Sequence, residues 1–166
     1  MKSVTVYSDG ACHGNPGPGG YGVILDYAGV RRERSQGYRL TTNNRMELLG
    51  VITGIEALKE PCAVTVITDS LYVIKAFEQD WIGTWQRNGW RTGDRKPVKN
   101  VDLWRRLLEA SAPHALKFQW VRGHAGHPEN EHCDDLANEA ATGATLLSDD
   151  GYESGLRRTA LLDDPT

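Results

Sequence analysis

The stretch VYSDGACHGNPGPGGYG, residues 6–22, decides the fold because an alternating apolar run ends on a carboxylate and enters a glycine-rich loop. Alternation with a period of two predicts a half-buried strand, and Asp9 lies at its carboxyl end. Two interpretations of Asp9 are open. An aspartate before glycine starts many turns, whereas an acidic group at this end of a strand lies where open α/β sheets bind ligands.

The segments around this stretch predict a mixed α/β sheet. Three β-rich segments joined by short glycine-rich turns predict two antiparallel hairpins, and they read SVTVYSD, GYGVILDY and RRERSQGYRL. A helix is predicted over residues 43–60, where apolar residues recur at every third position and Pro61 follows. Two further strands, VTVITDS and LKFQWVRG, then alternate with the helices LYVIKAFEQDW, VDLWRRLLEASA and PENEHCDDLANEAA. We therefore expect a single α/β domain in which helices flank about five strands, three antiparallel strands first and parallel strands after them.

The composition is typical of one globular domain. The chain has 166 residues, of which 39% are hydrophobic and 25% are charged. No apolar run approaches the roughly 18 residues of a membrane span, and the N-terminus is already strand-like, so neither a membrane segment nor a signal peptide is expected. Three cysteines without a CxxC pair indicate thiols in a reducing compartment. We expect a cytoplasmic monomer.

The charge is unevenly distributed along the chain. Residues 145–166 carry five acidic and two basic residues, which accounts for the net charge of −3. We expect them to form a flexible acidic tail after a domain over residues 1–144. Residues 86–99 carry five basic residues and one acidic residue. A local basic patch favours a polyanionic partner, although a solvated surface face gives the same pattern.

A second aspartate repeats the position of Asp9. Asp69 ends VTVITD as Asp9 ends VTVYSD, although Asp69 taken alone is also a candidate helix N-cap. Adjacent parallel strands would bring the two side chains close together, and like charges that close are unfavourable unless a cation lies between them. A hard divalent cation such as Mg²⁺ takes oxygen ligands, so the pair predicts a metal site.

Two further acidic residues are candidates for the same site. Asn44 followed by Glu47 resembles a capping box, but Glu47 also lies on the first turns of a helix near the strand ends, and the spacing leaves both roles open. In the last predicted helix, Cys133 belongs to an apolar stripe. Asp134 lies about 100° from Cys133 around the helix and Asp135 about 200°. This phase favours Asp134 as the functional residue.

The stretch GHAGHPENEHC holds three histidines and a cysteine, a composition that sometimes binds zinc. Its spacing matches no common zinc motif, and the chain has no second cysteine pair. His124 lies between two small residues in a glycine-rich loop. This setting favours a mobile proton carrier.

Five stretches together resemble the bacterial type of ribonuclease HI, and they read YSDGACHGNPGPGGYG, TTNNRMEL, TDSLYV, NGWRTGDRKPVKNVDLW and GHAGHPENEHCDDLA. The resemblance runs in order over residues 3–142. It implies a ribonuclease H-like fold and an endonuclease that cleaves the RNA strand of RNA–DNA hybrids. Leu40 and Leu71 stand where members of the family often carry a basic and a polar residue, respectively.

The resemblance also implies roles for particular residues. The metal-binding carboxylates are Asp9, Glu47, Asp69 and Asp134, and the catalytic loop histidine is His124. The residues implied to contact the hybrid fall into three groups: Cys12, Asn15, Asn43 and Asn44 at the minor groove, where 2′-hydroxyls are displayed; Thr42 and Asn100 at DNA phosphates; and Trp81, Trp85, Arg87, Arg91, Arg95, Lys96 and Lys99 along a DNA-side channel and the basic stretch.

The implied mechanism uses two Mg²⁺ ions, with Mn²⁺ as a substitute, and hydrolysis by water that leaves 3′-hydroxyl and 5′-phosphate ends. Two other functions stay open. A hybrid-binding module without catalysis is disfavoured because all four carboxylates are present. A related metal-dependent nuclease acting on DNA is disfavoured by the TTNN and GWRTGDRKPVK segments.

Overall fold

A computed structural model describes residues 1–163, with side chains up to residue 158. Within these residues the strands are β1 (Lys2–Cys12), β2 (Gly17–Tyr27), β3 (Val30–Thr41), β4 (Cys62–Thr68), β5 (Ala115–Trp120) and β6 (Leu146–Leu147). The helices are α1 (Asn43–Glu56), α2 (Leu71–Glu78), α3 (Trp81–Arg87), α4 (Val101–Ser111), α5 (Pro128–Ala141) and α6 (Asp150–Asp163). In the part of the chain that is described, no helix combines the length and the apolar character needed to cross a membrane.

The strands form one sheet in the order β5–β4–β1–β2–β3–β6. As the hairpins predict, β1, β2 and β3 pair antiparallel, while β1, β4 and β5 pair parallel. The predicted fold class is therefore confirmed, with six strands in the described chain instead of about five. Parallel pairing of β1 with β4 also places the carboxyl ends of both strands at the same edge of the sheet.

Helices α1 and α5 approach the end of β1 from opposite faces of the sheet. On one face α1 lies so close to the strand that a Cβ on Gly10 would be 2.5 Å from the backbone nitrogen of Glu47. Asp9 alternates to the other face, where its cross-strand partner Gly22 lies against Cys133 of α5. The end of β1 is consequently enclosed by both helices.

The chain after β4 departs from the single helix predicted over residues 71–81. Helix α2 ends at Glu78 and α3 begins at Trp81, because Asp80 adopts a left-handed backbone conformation (φ 51°) between them. Trp85 of α3 packs against the fully buried Trp104, with ring centroids 5.4 Å apart. This contact attaches α3 to the core just before the basic stretch begins.

The C-terminal segment differs from the flexible tail expected over residues 145–166. Residues 146–147 form β6 against β3, and α6 follows. Asp149 is buried and accepts hydrogen bonds from Arg45 Nε (2.8 Å) and Nη2 (2.9 Å). The acidic segment therefore carries the partner of a buried arginine, which holds it against α1. Residues 164–166 lie outside the described residues.

Candidate active site

Asp9 lies within a strand and not in a turn. It pairs with Gly22 of β2, and β1 continues for the three residues 10–12 after it. The residue is 4% exposed, and its Oδ1 accepts a hydrogen bond from the Gly10 N–H (2.9 Å). The turn interpretation of Asp9 is therefore wrong, and the residue is a buried carboxylate near the edge of the sheet.

Asp69 directly follows β4 and lies beside Asp9. The parallel register of β1 and β4 puts the two aspartates at equivalent positions just beyond the last paired residues. The N-cap of α2 is Ser70, whose Oγ accepts a hydrogen bond from the Val73 N–H (3.3 Å). The interpretation of Asp69 as a helix cap is therefore wrong.

Glu47 is buried and makes no capping box. The N-cap of α1 is Thr42, whose hydroxyl oxygen accepts a hydrogen bond from the Arg45 N–H (3.3 Å), so the box formed by Asn44 and Glu47 is absent. Glu47 lies further along α1, is 6% exposed, and its Oε2 has no hydrogen-bond partner among the described residues. A buried carboxylate oxygen without a donor is unfavourable unless a cation faces it.

Four carboxylates meet at this edge of the sheet. Asp9, Glu47 and Asp69 each contribute an oxygen, and these oxygens lie within 4.8 Å of one another. Asp134 of α5 is half-buried and its charge acts on Asp9, whereas Asp135 is exposed. The predicted phase of α5 is therefore confirmed. We call Asp9, Glu47, Asp69 and Asp134 the carboxylate cluster.

The pKa values of the carboxylate cluster reflect burial and mutual repulsion. Burial, followed by the charges of Asp69 and Asp134, raises the pKa of Asp9 to about 8. Burial, followed by the charges of Asp9 and Asp69, raises the pKa of Glu47 well above its usual value. Burial is also the largest cause of the raised pKa of Asp69. Such a site favours a proton or a cation, and its oxygen donors fit a hard ion such as Mg²⁺.

The loop after β5 packs against Asp69. A Cβ on Gly123 would lie 2.5 Å from Asp69 Oδ2, so a larger residue at this position would displace the Asp69 carboxylate. His124 is exposed, has a φ of 56°, and its charge lowers the pKa of Asp69. The sequence analysis missed Gly123. Its position next to His124 in the sequence indicated a role near the site, but its contact with Asp69 depends on the tertiary structure.

One group of predicted hybrid contacts surrounds the start of α1. Asn15 Oδ1 accepts a hydrogen bond from the Asn43 N–H (3.1 Å), which ties the loop between β1 and β2 to the helix. Cys12 Sγ lies 3.5 Å from the carbonyl oxygen of Thr41, which directly precedes the helix cap. The structure also brings several of these residues to one groove, which is lined by Asn15, Thr42, Asn44, Lys99 and Asn100.

The other group of predicted contacts lies on α3 and the basic stretch. The rings of Trp81 and Trp85 are half-buried, with centroids 6.0 Å apart. A short bridge between Arg91 and Pro97 closes the loop that follows α3. The five basic side chains are all exposed, and they belong to Arg87, Arg91, Arg95, Lys96 and Lys99. This exposure is compatible with both a polyanion-binding surface and a solvated face.

Known proteins resemble the chain in sequence and in structure. A family model described as RNase H matches residues 1–142. A ribonuclease H from Oleidesulfovibrio alaskensis is 57% identical over 149 residues, which cover 90% of this chain and 97% of that relative. A ribonuclease H from Citrobacter koseri is 56% identical over 154 residues, which cover 93% of this chain and 98% of that relative.

Two solved structures share the fold. LC9-RNase H1, a type 1 RNase H with the type 2 active-site motif, is 37% identical with a TM-score of 0.79, covering 98% of this chain and 84% of its own. LC11-RNase H1 in complex with an RNA/DNA hybrid is 22% identical with a TM-score of 0.63, covering 83% of this chain and 96% of its own.

Proposed function

The chain belongs to the RNase H family, and from this premise we propose that it is an endonuclease that hydrolyses the RNA strand of RNA–DNA hybrids. The observation that carries the proposal is the carboxylate cluster. Asp9, Glu47 and Asp69 place oxygens within 4.8 Å of one another in a buried site, and Asp134 adds a fourth negative charge. Such a concentration of charge is what a divalent cation stabilises.

We propose that the carboxylate cluster holds two Mg²⁺ ions, for which Mn²⁺ can substitute. The raised pKa values of Asp9 and Glu47 reflect burial and repulsion between neighbouring carboxylates, and Asp9, Glu47, Asp69 and Asp134 are the residues that would hold the ions. Glu47 Oε2, which has no donor in the described chain, is a natural ligand. When bound, the ions supply a water nucleophile at neutral pH and stabilise charge on the departing 3′ oxygen.

The nucleophile determines the products, and His124 provides the proton path. Attack by water, and not by the 2′-hydroxyl of the RNA, predicts products with 3′-hydroxyl and 5′-phosphate ends. His124 is exposed on the loop that packs against Asp69. It is therefore placed to carry a proton between the reaction site and solvent.

Selection of a hybrid requires contacts with both strands. The groove at the start of α1 presents the polar groups of Asn15 and Asn44, which suit the 2′-hydroxyls displayed in the minor groove. The half-buried ring of Trp85 and the exposed basic stretch suit the DNA strand and its phosphates.

The three cysteines all lie within the described residues and form no disulfide there. We propose that the protein acts as a cytoplasmic monomer.

One experiment separates this function from its two alternatives. Labelled RNA–DNA hybrid, double-stranded DNA and double-stranded RNA are each incubated with the protein in Mg²⁺ or in EDTA. The proposal predicts that the RNA strand of the hybrid is cleaved in Mg²⁺ and not in EDTA, and that the cleavage leaves a 5′-phosphate. Binding without cleavage would indicate a hybrid-binding module, and cleavage of double-stranded DNA would indicate a DNA nuclease.

A further inference from the structure

Helix α6 forms one wall of the groove at the start of α1. The groove has a volume of about 650 Å³, and its opposite wall includes Thr42, Lys99 and Asn100. Gly151, Gly155 and Arg158 line it from α6, flanked by Tyr152 and Leu156. The first three recur at intervals of about one turn, so one face of α6 borders the groove.

A buried arginine fixes α6 in this place. Arg45 donates to Asp149 at the start of α6 (Nε, 2.8 Å) and to Asp102 of α4 (Nη2, 2.7 Å). Its Nη1 also lies 3.4 Å from Asn100 Oδ1. One guanidinium thus connects α6, α4 and the residue before α4, which line the same groove. Arg45 is 3% exposed, so these links are shielded from solvent.

The groups that line the groove suit an anion. Arg45 is engaged by two carboxylates, while Lys99 and Arg158 are exposed and form no ion pair within the described part of the chain. Thr42 Oγ1 accepts the capping hydrogen bond, which leaves its hydroxyl proton able to donate. Asn100 Nδ2 donates to Tyr72 Oη (3.1 Å) and has a second proton. Donors and cations therefore line the opening, and the Asp102 carboxylate that also lines it is paired with Arg45.

We propose that Arg158 of α6, together with Lys99, binds a backbone phosphate of the nucleic acid held at the active site. This inference rests on the proposed function and adds α6 to the substrate-binding surface. An arginine is suited to this role because its planar guanidinium can pair with two phosphate oxygens. The helix face next to the groove, anchored through Asp149, keeps that side chain near the donors of Thr42 and Asn100.

The first test compares Arg158→Ala with Arg157→Ala on a hybrid substrate. Arg157 is an adjacent exposed arginine that donates to Ser154 Oγ (3.1 Å) and does not line the groove, so it is a matched control. We expect Arg158→Ala to raise KM roughly three- to ten-fold at low salt and to flatten the dependence of log K on log salt by about 0.7–0.9, with kcat retained. Arg157→Ala should change KM less than two-fold.

The second test identifies the phosphate by chemical substitution. Single methylphosphonates, which remove one phosphate charge, are placed along the DNA strand or along the RNA strand of the hybrid. At one position the neutral linkage should raise KM for the wild type and abolish the difference between wild type and Arg158→Ala. The strand in which this position occurs identifies the source of the phosphate.

The outcomes separate this inference from the proposed function. A wild type that cleaves the hybrid while Arg158→Ala keeps its KM and salt dependence would overturn the inference alone. The inference is also overturned if no methylphosphonate, in either strand, abolishes the KM difference between the wild type and Arg158→Ala. If the wild type does not cleave the hybrid, the proposed function itself fails. The melting temperatures of both variants should match the wild type, since both side chains are exposed.

Discussion

Replacing Asp9 by asparagine should stabilise the protein in the absence of divalent cations while abolishing cleavage. Asp9 is 4% exposed and is repelled by Asp69 and Asp134. An ionised carboxylate at this position therefore opposes folding, and an amide of the same shape does not. The same substitution removes one charge from the carboxylate cluster, so metal binding and activity should be lost.

The size of this stabilisation follows from the pKa of Asp9. The pKa is 3.8 in a model compound and about 8 in the folded protein. At 1.36 kcal/mol per pKa unit, the need to keep Asp9 protonated in the folded protein at pH 7 lowers the free energy of unfolding by at most about 4.4 kcal/mol. Neighbouring carboxylates share that proton, so we expect Asp9→Asn to gain about 1–3 kcal/mol at pH 7. For a chain of this length the gain corresponds to a melting temperature raised by about 3–10 °C.

The sign of the pH dependence is also fixed. An acid whose pKa is raised by folding stabilises the folded state fully below its unfolded pKa, and that contribution is lost as the pH rises through the folded pKa. The stability of the wild type in EDTA should therefore fall between about pH 4 and pH 8. The stability of Asp9→Asn should fall less steeply, so the gap between the two proteins widens as the pH rises.

The assay is thermal unfolding in EDTA at several pH values, repeated with Mg²⁺. Mg²⁺ should raise the melting temperature of the wild type and narrow its gap to Asp9→Asn, because the ion binds the folded state only. Asp135→Asn, which changes an exposed aspartate of α5, is the control, and its melting temperature in EDTA should equal that of the wild type at each pH. A destabilised Asp9→Asn in EDTA, or a gap that is equal at pH 5 and pH 8, would refute the reasoning.

Four further predictions concern other parts of the molecule. Asp134→Ala should lose most activity and Asp135→Ala little, because of the two only Asp134 belongs to the carboxylate cluster; steady-state rates with the reverse ranking would contradict the assignment. His124→Ala should lower kcat less than Asp9→Asn does, since proton transfer assists the reaction; an equal loss would make His124 indispensable. Neutralising Arg87, Arg91 and Arg95 should raise KM several-fold and flatten the salt slope by about 2–3, with kcat nearly kept, and a lower kcat at saturating hybrid would assign them to the reaction site instead. Asp149→Asn should lower the free energy of unfolding in urea by about 2–4 kcal/mol, because the buried Arg45 then keeps only the half-exposed Asp102 as a charged partner, whereas the exposed Asp150→Asn should have little effect; equal values would contradict the role of Asp149.

The sequence predicted the parts of the site that follow from strand and helix periodicity. Asp9 and Asp69 each end an apolar alternation, and parallel pairing brings such ends together. The phase of α5 separated Asp134 from Asp135 because one step around a helix is 100°. These inferences need the local pattern and the fold class only.

Features that depend on a distant partner could not be predicted in this way. The role of Glu47 was open because it depends on which residue caps α1, and the cap is Thr42. The contact between Gly123 and Asp69 joins two loops that are far apart in sequence. The acidic C-terminal segment reads as a solvated tail until its partner, the buried Arg45, is known.

The central claim is that the carboxylate cluster cleaves the RNA strand of a hybrid, and single-turnover cleavage of a strand-specifically labelled hybrid by Asp69→Asn tests it most directly. Asp135→Asn is the matched control, since it removes an exposed charge from the same region of the protein. We predict that the wild type and Asp135→Asn cut only the RNA strand in Mg²⁺ and not in EDTA, while Asp69→Asn is slower by a factor of about 1,000 or more. Near wild-type cleavage by Asp69→Asn, or cutting of the DNA strand, would contradict the account.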